Sequence, residues 1–321
     1  MGNPISSFWF RELMMLLTMR PYQSDDDFWR IRNFLREVFL LNGQREHSWH
    51  AARFDYWRWH LVMNCQCCDP VPEVTYLWET AVGQIAATIN PVVSGELRLH
   101  IHPHFRTPEL ENEMLAQAEE TLAVQRGEKR RIHTPVDADD TLRQEVLQQR
   151  EFSKGNGISH KWHCDLDAPI PETAVPSGYV IRSMKNDELP ARSWASWRAF
   201  HSDEPDENYD GDWTWYQNIQ SMPLYRRDLD VVAIAPQGEV ASFATIAYDD
   251  YTRSAVCVLV GTAVEHQRRG LAKDVLLEGF RRLQWLGCQR VFATAYDPPA
   301  DALYGSVMQT HDVAETWLKW L

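Results

Sequence analysis

Positive charge is scarce in this chain. Lysine and arginine number 32 against 45 aspartates and glutamates, a formal net charge of −13. With no basic stripe to neutralise phosphates, a nucleic-acid partner is not expected. Long apolar runs are missing too: none approaches the ~20 residues a helix needs to cross a bilayer, so no membrane partner is expected. Paired metal-binding cysteines are also lacking. Cys65-Gln66-Cys67-Cys68, with His60 nearby, has no second pair close in sequence. His100, His102 and His104 alternate, which on a strand puts three imidazoles on one face, but Pro103 interrupts that strand. No metal site is expected. Without a convincing secretory signal the six cysteines suggest reduced thiols in a cytoplasmic protein, with Cys257 and Cys288 as core packing.

What is present describes an ordinary globular protein, 44% hydrophobic and 24% charged. A length of 321 residues suits two domains of about 150 residues each. Met1-Gly2-Asn3-Pro4-Ile5-Ser6 fits a loose myristoylation pattern, and Phe8 to Leu17 is apolar apart from Arg11 and Glu12. A short extension packing on its own domain is the plainer reading.

The interior says the same thing twice. Leu17 to Pro21, then Ser24-Asp25-Asp26-Asp27, reads as a strand followed by a capped helix, and so does Tyr179 to Ser183 before Asn186-Asp187-Glu188. Each is followed by a Trp-rich helical stretch and two strands at hairpin spacing, Val74–Trp78 with Gln84–Ile89, and Asp230–Ala235 with Val240–Ile246. The order β-α-α-β-β-β-α-β-α-β is expected in both halves. Between them, Leu166 to Gly178 carries three prolines and no period, an exposed linker. The expected division is 1–170 and 171–321.

The chemistry concentrates near the C-terminus. Gln267-Arg268-Arg269-Gly270-Leu271-Ala272 lies between an apolar strand, Ala255 to Val260, and an amphipathic helix with Val275, Leu276, Gly279, Phe280, Leu283 and Leu286 on one face. A strand, a tight Gly turn and a helix start make an anion cradle, because the first N–H groups of a helix lack partners and the macrodipole is positive there. Gly270 lets the backbone approach a diphosphate with no Cβ in the way. After a further strand, Arg290 to Ala295, comes Asp297-Pro298-Pro299-Ala300-Asp301-Ala302-Leu303-Tyr304.

The first of these motifs resembles the acetyl-CoA pyrophosphate loop of the GNAT superfamily N-acetyltransferases. The second resembles that family's Asn-x-x-Ala-x-x-Leu-Tyr helix, whose tyrosine sits beside the thioester sulfur. Both motifs fall within roughly residues 178–321, and the internal repeat makes the whole chain similar to the tandem, two-copy type. The resemblance implies an α/β (α+β) fold of two GNAT-like domains, each a mixed, largely antiparallel twisted sheet flanked by helices. It also implies an N-acetyltransferase with acetyl-CoA as co-substrate and a primary amine of a small molecule or peptide as acceptor, in a monomer or homodimer. Backbone at Thr262, Ala263 and Val264 would pair with pantetheine. Amides from Arg268 through Arg269, Gly270, Leu271 and Ala272 to Lys273 would hold the diphosphate, with Gln267 opening the loop. Arg268, Arg269 and Lys273 could also meet the 3′-phosphate. Asp297 and Ala300 fall at coenzyme-binding positions of the second motif, and Tyr304 is the candidate general acid.

The matching stretch of the first half, Pro103 to Glu111, has no glycine. Pro108 removes an N–H, and Glu109 and Glu111 put negative charge where a polyanion would bind. This half is expected to be a structural or substrate-shaping partner. The general base is harder to place. Many relatives carry a glutamate on the strand before the loop, where this chain has Val258. Asp249 and Asp250 more plausibly make a turn, and Glu265 and His266 lie beyond the strand. Two further departures are Asp297 for asparagine and Met308-Gln309 for the usual Gly-Phe. Asp203, Glu204, Asp206, Glu207, Asp210 and Asp212, followed by Trp213, Trp215 and Tyr216, would suit a cationic amine or form a solvated loop before a packed helix. A non-catalytic coenzyme-A-binding or interaction protein on the same scaffold is the alternative.

Overall fold

The computed structural model describes residues 16–321, so the myristoylation pattern and most of the apolar stretch after it lie outside the described residues. The chain divides into two units. One runs to Ile158 and takes back Val313–Leu321; the other is Ser159–Asp312. The expected cut at residue 170 follows the linker, whereas the contacts assign one strand segment of each sequence half to the other unit.

In the first unit, strands β1 (Leu17–Pro21), β2 (Tyr76–Thr80), β3 (Ile85–Pro91) and β4 (Leu97–Ile101) form an antiparallel sheet in that order. Helices α1 (Asp25–Leu41) and α2 (Ala51–Tyr56) lie between β1 and β2, and α2 runs on as a π-helical turn over Trp57–Val62. The short α3 (Val71–Val74) precedes β2, so that strand begins later than the expected Val74; Pro72 suits the first turn of a helix. After β4 come α4 (Pro108–Thr121), β5 (Val124–Arg126), β6 (Lys129–Asp137), α5 (Thr141–Gln149) and β7 (Ser153–Asp165). The partner of β6 is the chain's last strand, β13 (Thr310–Trp320), antiparallel from Ala314 opposite Asp137 to Trp320 opposite Arg131. The core gathers Phe28, Ile31, Leu35, Phe54, Trp57, Leu77, Trp78, Met114 and Leu115.

The second unit follows the expected order. It runs β8 (Val180–Ser183), α6 (Leu189–Phe200), α7 (Thr214–Gln220), β9 (Asp230–Ile234), β10 (Val240–Asp249), β11 (Ser254–Thr262), α8 (Leu271–Trp285), β12 (Arg290–Ala295) and α9 (Pro298–Gly305). The strands pair β8-β9-β10-β11 antiparallel, β11-β12 parallel, and β12 with the end of β7 antiparallel, His160 to Asp165. One sheet face packs on α8 through Val231, Ala244, Ile246, Val275, Leu276 and Phe280. The other packs on α6 through Val232, Phe243 and Ala195. Gly279 permits this closeness, since a Cβ there would stand 2.4 Å from Ile246 Cδ1. The proline-rich linker is strapped to α8: Ile170 joins its core, Gln284 donates to the carbonyls of Leu166 and Ala168, and Ala174 N–H donates to Asp274. No helix among the described residues is long and apolar enough to cross a membrane.

Candidate functional site

The site begins where two parallel strands part. β11 and β12 are in register only at Ser254/Arg290, Ala255/Val291 and Val256/Phe292. β11 then continues to Thr262 alongside β10 alone, so its other edge is left without a strand partner. A bulge marks the parting, because Thr245 faces Leu259 and Ile246 faces Cys257, leaving Val258 extra. Burial changes at the same point, from buried Ser254–Cys257 to half-buried Val258–Thr262. No other described segment hydrogen-bonds the main chain of Val258, Leu259 or Val260 on the open side. An extended, amide-bearing arm can add to such an edge as a strand does.

Beyond β11 the groups at Thr262, Ala263 and Val264 are partly engaged. Ala263 N–H donates to Ala241, the Thr262 carbonyl accepts Gln267 Nε2 at 3.2 Å, and Val264–His266 forms a 3₁₀ turn. The chain then reverses through Arg268, at φ 64°, and Gly270, at φ 82°, which opens α8. Nothing lies within 4 Å of where a Gly270 Cβ would stand. The first helical bond is Asp274 N–H to the Gly270 carbonyl, so the amides of Arg268 to Lys273 have no backbone acceptor.

The side chains make the point sharper. Arg268 and Lys273 form no ion pair among the described residues, and Arg269 reaches only the Glu265 carbonyl at 3.3 Å. Three cations beside a helix N-terminus have the wrong sign for the macrodipole. The first-turn acid, Asp274, is buried and accepts Ala174 N–H at 3.0 Å. An anion at this turn would find six unspent amides and three cations with no carboxylate partner among the described residues.

On α9, Asp297 is the N-cap, its carboxylate accepting Ala300 N–H at 2.8 Å, so aspartate performs the capping that asparagine would. Tyr304 is 8% exposed, in the core cluster with Leu271, Val275 and Met308. Asp301 lies on the same helix, where His160 Nδ1 at 2.6 Å and Trp162 Nε1 at 2.7 Å hold its carboxyl below the usual range. Buried Cys288 and Cys164 are pushed up to about 12 by burial, which keeps them thiols.

No carboxylate stands on β11. Asp249 accepts Tyr251 N–H at 3.2 Å and shapes the β10–β11 turn. Glu265 pairs with Arg198, and His266 lies between Tyr179 Oη at 2.9 Å and Glu239 at 3.3 Å. In the acidic connection after α6, Asp210 accepts Asp212 N–H, Asp212 caps α7 through Thr214, and Asp206 pairs with Arg198. Tyr209 rests on Trp194 and Trp197, and Tyr216 is fully buried. Much of this cluster therefore builds the loop. Sequence patterns missed Arg198, whose partner Glu265 is 67 residues away, and Arg192, which is fully buried between Phe243 and Tyr216.

The first unit fills the equivalent places with its own chain. Beside β4, Ile101 N–H donates to Ser48 Oγ, and Trp49 N–H donates to His100 Nδ1. Thr107 caps α4 by accepting Leu110 N–H. Fully buried Glu111 takes Arg106 at 2.6 Å and Arg143 at 2.9 Å, and Arg106 also holds Asp140. These four charges pair with one another. The three histidines do not share one strand face: β4 ends at Ile101 and Pro103 opens a 3₁₀ turn, in which His104 N–H donates to His102 Nδ1 and the two rings lie 5.0 Å apart, with His104 exposed. Among the described residues no group of His, Cys, Asp or Glu is arranged to hold a metal.

Several solved structures share this fold. A GCN5-related N-acetyltransferase from Sphaerobacter thermophilus covers 95% of this chain and 95% of its own, at 17% identity and a TM-score of 0.62. A tandem GNAT protein from the clavulanic acid biosynthesis pathway covers 95% and 98%, at 12% identity and a TM-score of 0.62. A GNAT-family acetyltransferase from Colwellia psychrerythraea covers 94% and 100%, at 12% identity and a TM-score of 0.59. No family model and no curated protein matches the sequence. At these identities the likeness shows the fold, which is the GNAT fold in its tandem form.

Proposed function

We propose that this tandem GNAT fold carries one working acetyl-CoA site, in its C-terminal half, and transfers acetyl to a primary amine of a small molecule or peptide. The observation that carries the reading is the α8 N-terminus: among the described residues, six amides there have no backbone acceptor, Gly270 is open, and Arg268, Arg269 and Lys273 pair with no carboxylate. Acetyl-CoA supplies an activated acyl group as a thioester. The β11 edge from Val258 to Gly261 would take the pantetheine amides, extending to Thr262, and the turn from Gln267 to Lys273 would take the phosphates. The parting of β11 from β12 then sets the reacting carbonyl near the Val258 bulge, where a main-chain N–H can face a developing oxyanion. Tyr304 is the group proposed to give the departing thiolate a proton, since a phenol stays neutral at pH 7 and can donate. With Val258 where a base would stand, the amine's proton leaves through water. The first half shapes the molecule and binds no coenzyme.

That absent base also favours a second reading, a coenzyme-A-binding protein without rapid turnover. Thiol release from acetyl-CoA, followed across a panel of amines with the parent chain and Tyr304→Phe, separates the two. Amine-dependent release that falls about 10²-fold in the variant supports acetyl transfer. Release that no amine stimulates supports the binding role.

A further inference from the structure

Arg198 on α6 stands between the turn that leads into the proposed phosphate cradle and the acidic connection that follows α6. Its Nε and Nη2 lie 2.7 and 2.6 Å from Glu265 Oε1, and its Nη1 lies 2.5 Å from Asp206 Oδ1. Glu265 belongs to the 3₁₀ turn Val264–His266, which leads directly into the phosphate cradle. Asp206 belongs to the 3₁₀ turn Asp206–Asn208, in the acidic connection between α6 and α7. The side chain of Arg198 is 14% exposed, whereas Glu265 and Asp206 are 50% and 58% exposed, so the guanidinium is the anchored member of the trio.

The surroundings hold Arg198 and the turn in place. Gly261 brings α6 down onto β11, for a Cβ there would stand 3.0 Å from Ala199 Cβ and 2.5 Å from Phe243 Cζ. His266 is fixed from the other side by Tyr179 Oη and Glu239. The connection carrying Asp206 is mostly exposed, and Tyr209 Oη to Ser193 Oγ at 2.9 Å ties it back to α6.

We propose that Arg198 is a positioning residue that couples the cofactor site to the acidic connection between α6 and α7. The proposal rests on the acetyl-CoA reading above. A bare carboxylate at Glu265 would repel a diphosphate arriving at Arg268 to Lys273, and Arg198 cancels that charge. The same guanidinium fastens Asp206. Phosphates that fix the turn therefore fix Glu265, then Arg198, then the acidic connection. By linkage the coupling is reciprocal: an ordered connection strengthens cofactor binding by the same factor.

Hydrogen–deuterium exchange and acetyl-CoA titration on the full chain test this, comparing the parent, Arg198→Gln, and Arg198→Gln with Glu265→Gln. In all three, acetyl-CoA should protect the amides of residues 268–273. Protection of residues 201–213 should appear in the parent alone. Affinity should fall about five-fold in Arg198→Gln and recover in part in the double variant, where no bare carboxylate remains at 265 but the tie to Asp206 is still missing. The recovery separates charge cancellation from simple damage to the fold. Equal protection of 201–213 in parent and Arg198→Gln overturns the proposal, as does a parent protected only at 268–273. A double variant as weak as Arg198→Gln overturns it too. Protection at 268–273 in none of the three is a different failure, because it removes the acetyl-CoA reading itself.

Discussion

Gly270 is worth its place for two separate reasons. At φ 82° it occupies left-handed backbone that side chains resist, and its missing Cβ faces open space rather than a neighbour. A glutamate there adds strain and charge without a steric clash, so its effect falls on the anion site more than on the core. A second residue-scale consequence concerns His100, fully buried between Asn90 Oδ1, 3.1 Å from Nε2, and the Trp49 N–H donated to Nδ1. Burial pushes its imidazole down from 6.5 to about 3, so the folded chain keeps it neutral while the unfolded chain takes up a proton. The unfolded state binds more protons between those values. Stability from this group is complete above pH 6.5 and is lost as pH falls towards 3. Denaturant melts from about pH 6.5 to 4.5 should show a slope approaching 1.4 kcal/mol per pH unit from His100, absent in His100→Gln. Identical slopes would contradict this.

Among elements, α4 and α8 make the instructive pair, because each follows the last strand of its unit's antiparallel meander, β4 and β11. α4 begins with a threonine cap and a proline, and the arginines beside it are spent, Arg106 on Glu111 and Asp140, Arg143 on Glu111. α8 begins with a glycine and leaves its cations unspent. Removing the Glu111 charge strands Arg143 and part of Arg106 in the interior. Glu111→Gln is therefore expected to cost about 3–5 kcal/mol in unfolding free energy while leaving acetyl-CoA affinity unchanged. Weakened binding in that variant would implicate the first half after all. At the other face, Gly261→Ala would force Phe243 and α6 apart, and should cost about 1–3 kcal/mol by the same measurement. These contrasts were legible beforehand because glycine, proline and charge act within one turn of a helix. The filling of the β4 edge by Ser48 was not legible, since its partner Ile101 is 53 residues away. The pairing of Arg198 with Glu265 was hidden for the same reason.

For the molecule as a whole, strand order followed from local pattern but strand membership did not. The expected order ends each half on a strand, here β7 and β13; it carries no information about which β-edge each one meets. The linker invited a cut at residue 170, yet β12 is paired by residues 160–165 and β6 by residues 314–320. A fragment of residues 171–321 would leave the β12 edge unpaired and lack Trp162, which packs on Gly305. It is expected to show no cooperative thermal transition, and a sharp two-state melt would contradict that expectation. The proposed function rests on a narrower base than the fold: one helix end that would accept a polyanion where its counterpart would not. Calorimetric titration of acetyl-CoA into the parent chain and into Gly270→Glu tests it most directly. One site per chain, lost in the variant while the melting temperature holds, is the predicted result; equal affinity in both, or two sites, would contradict it.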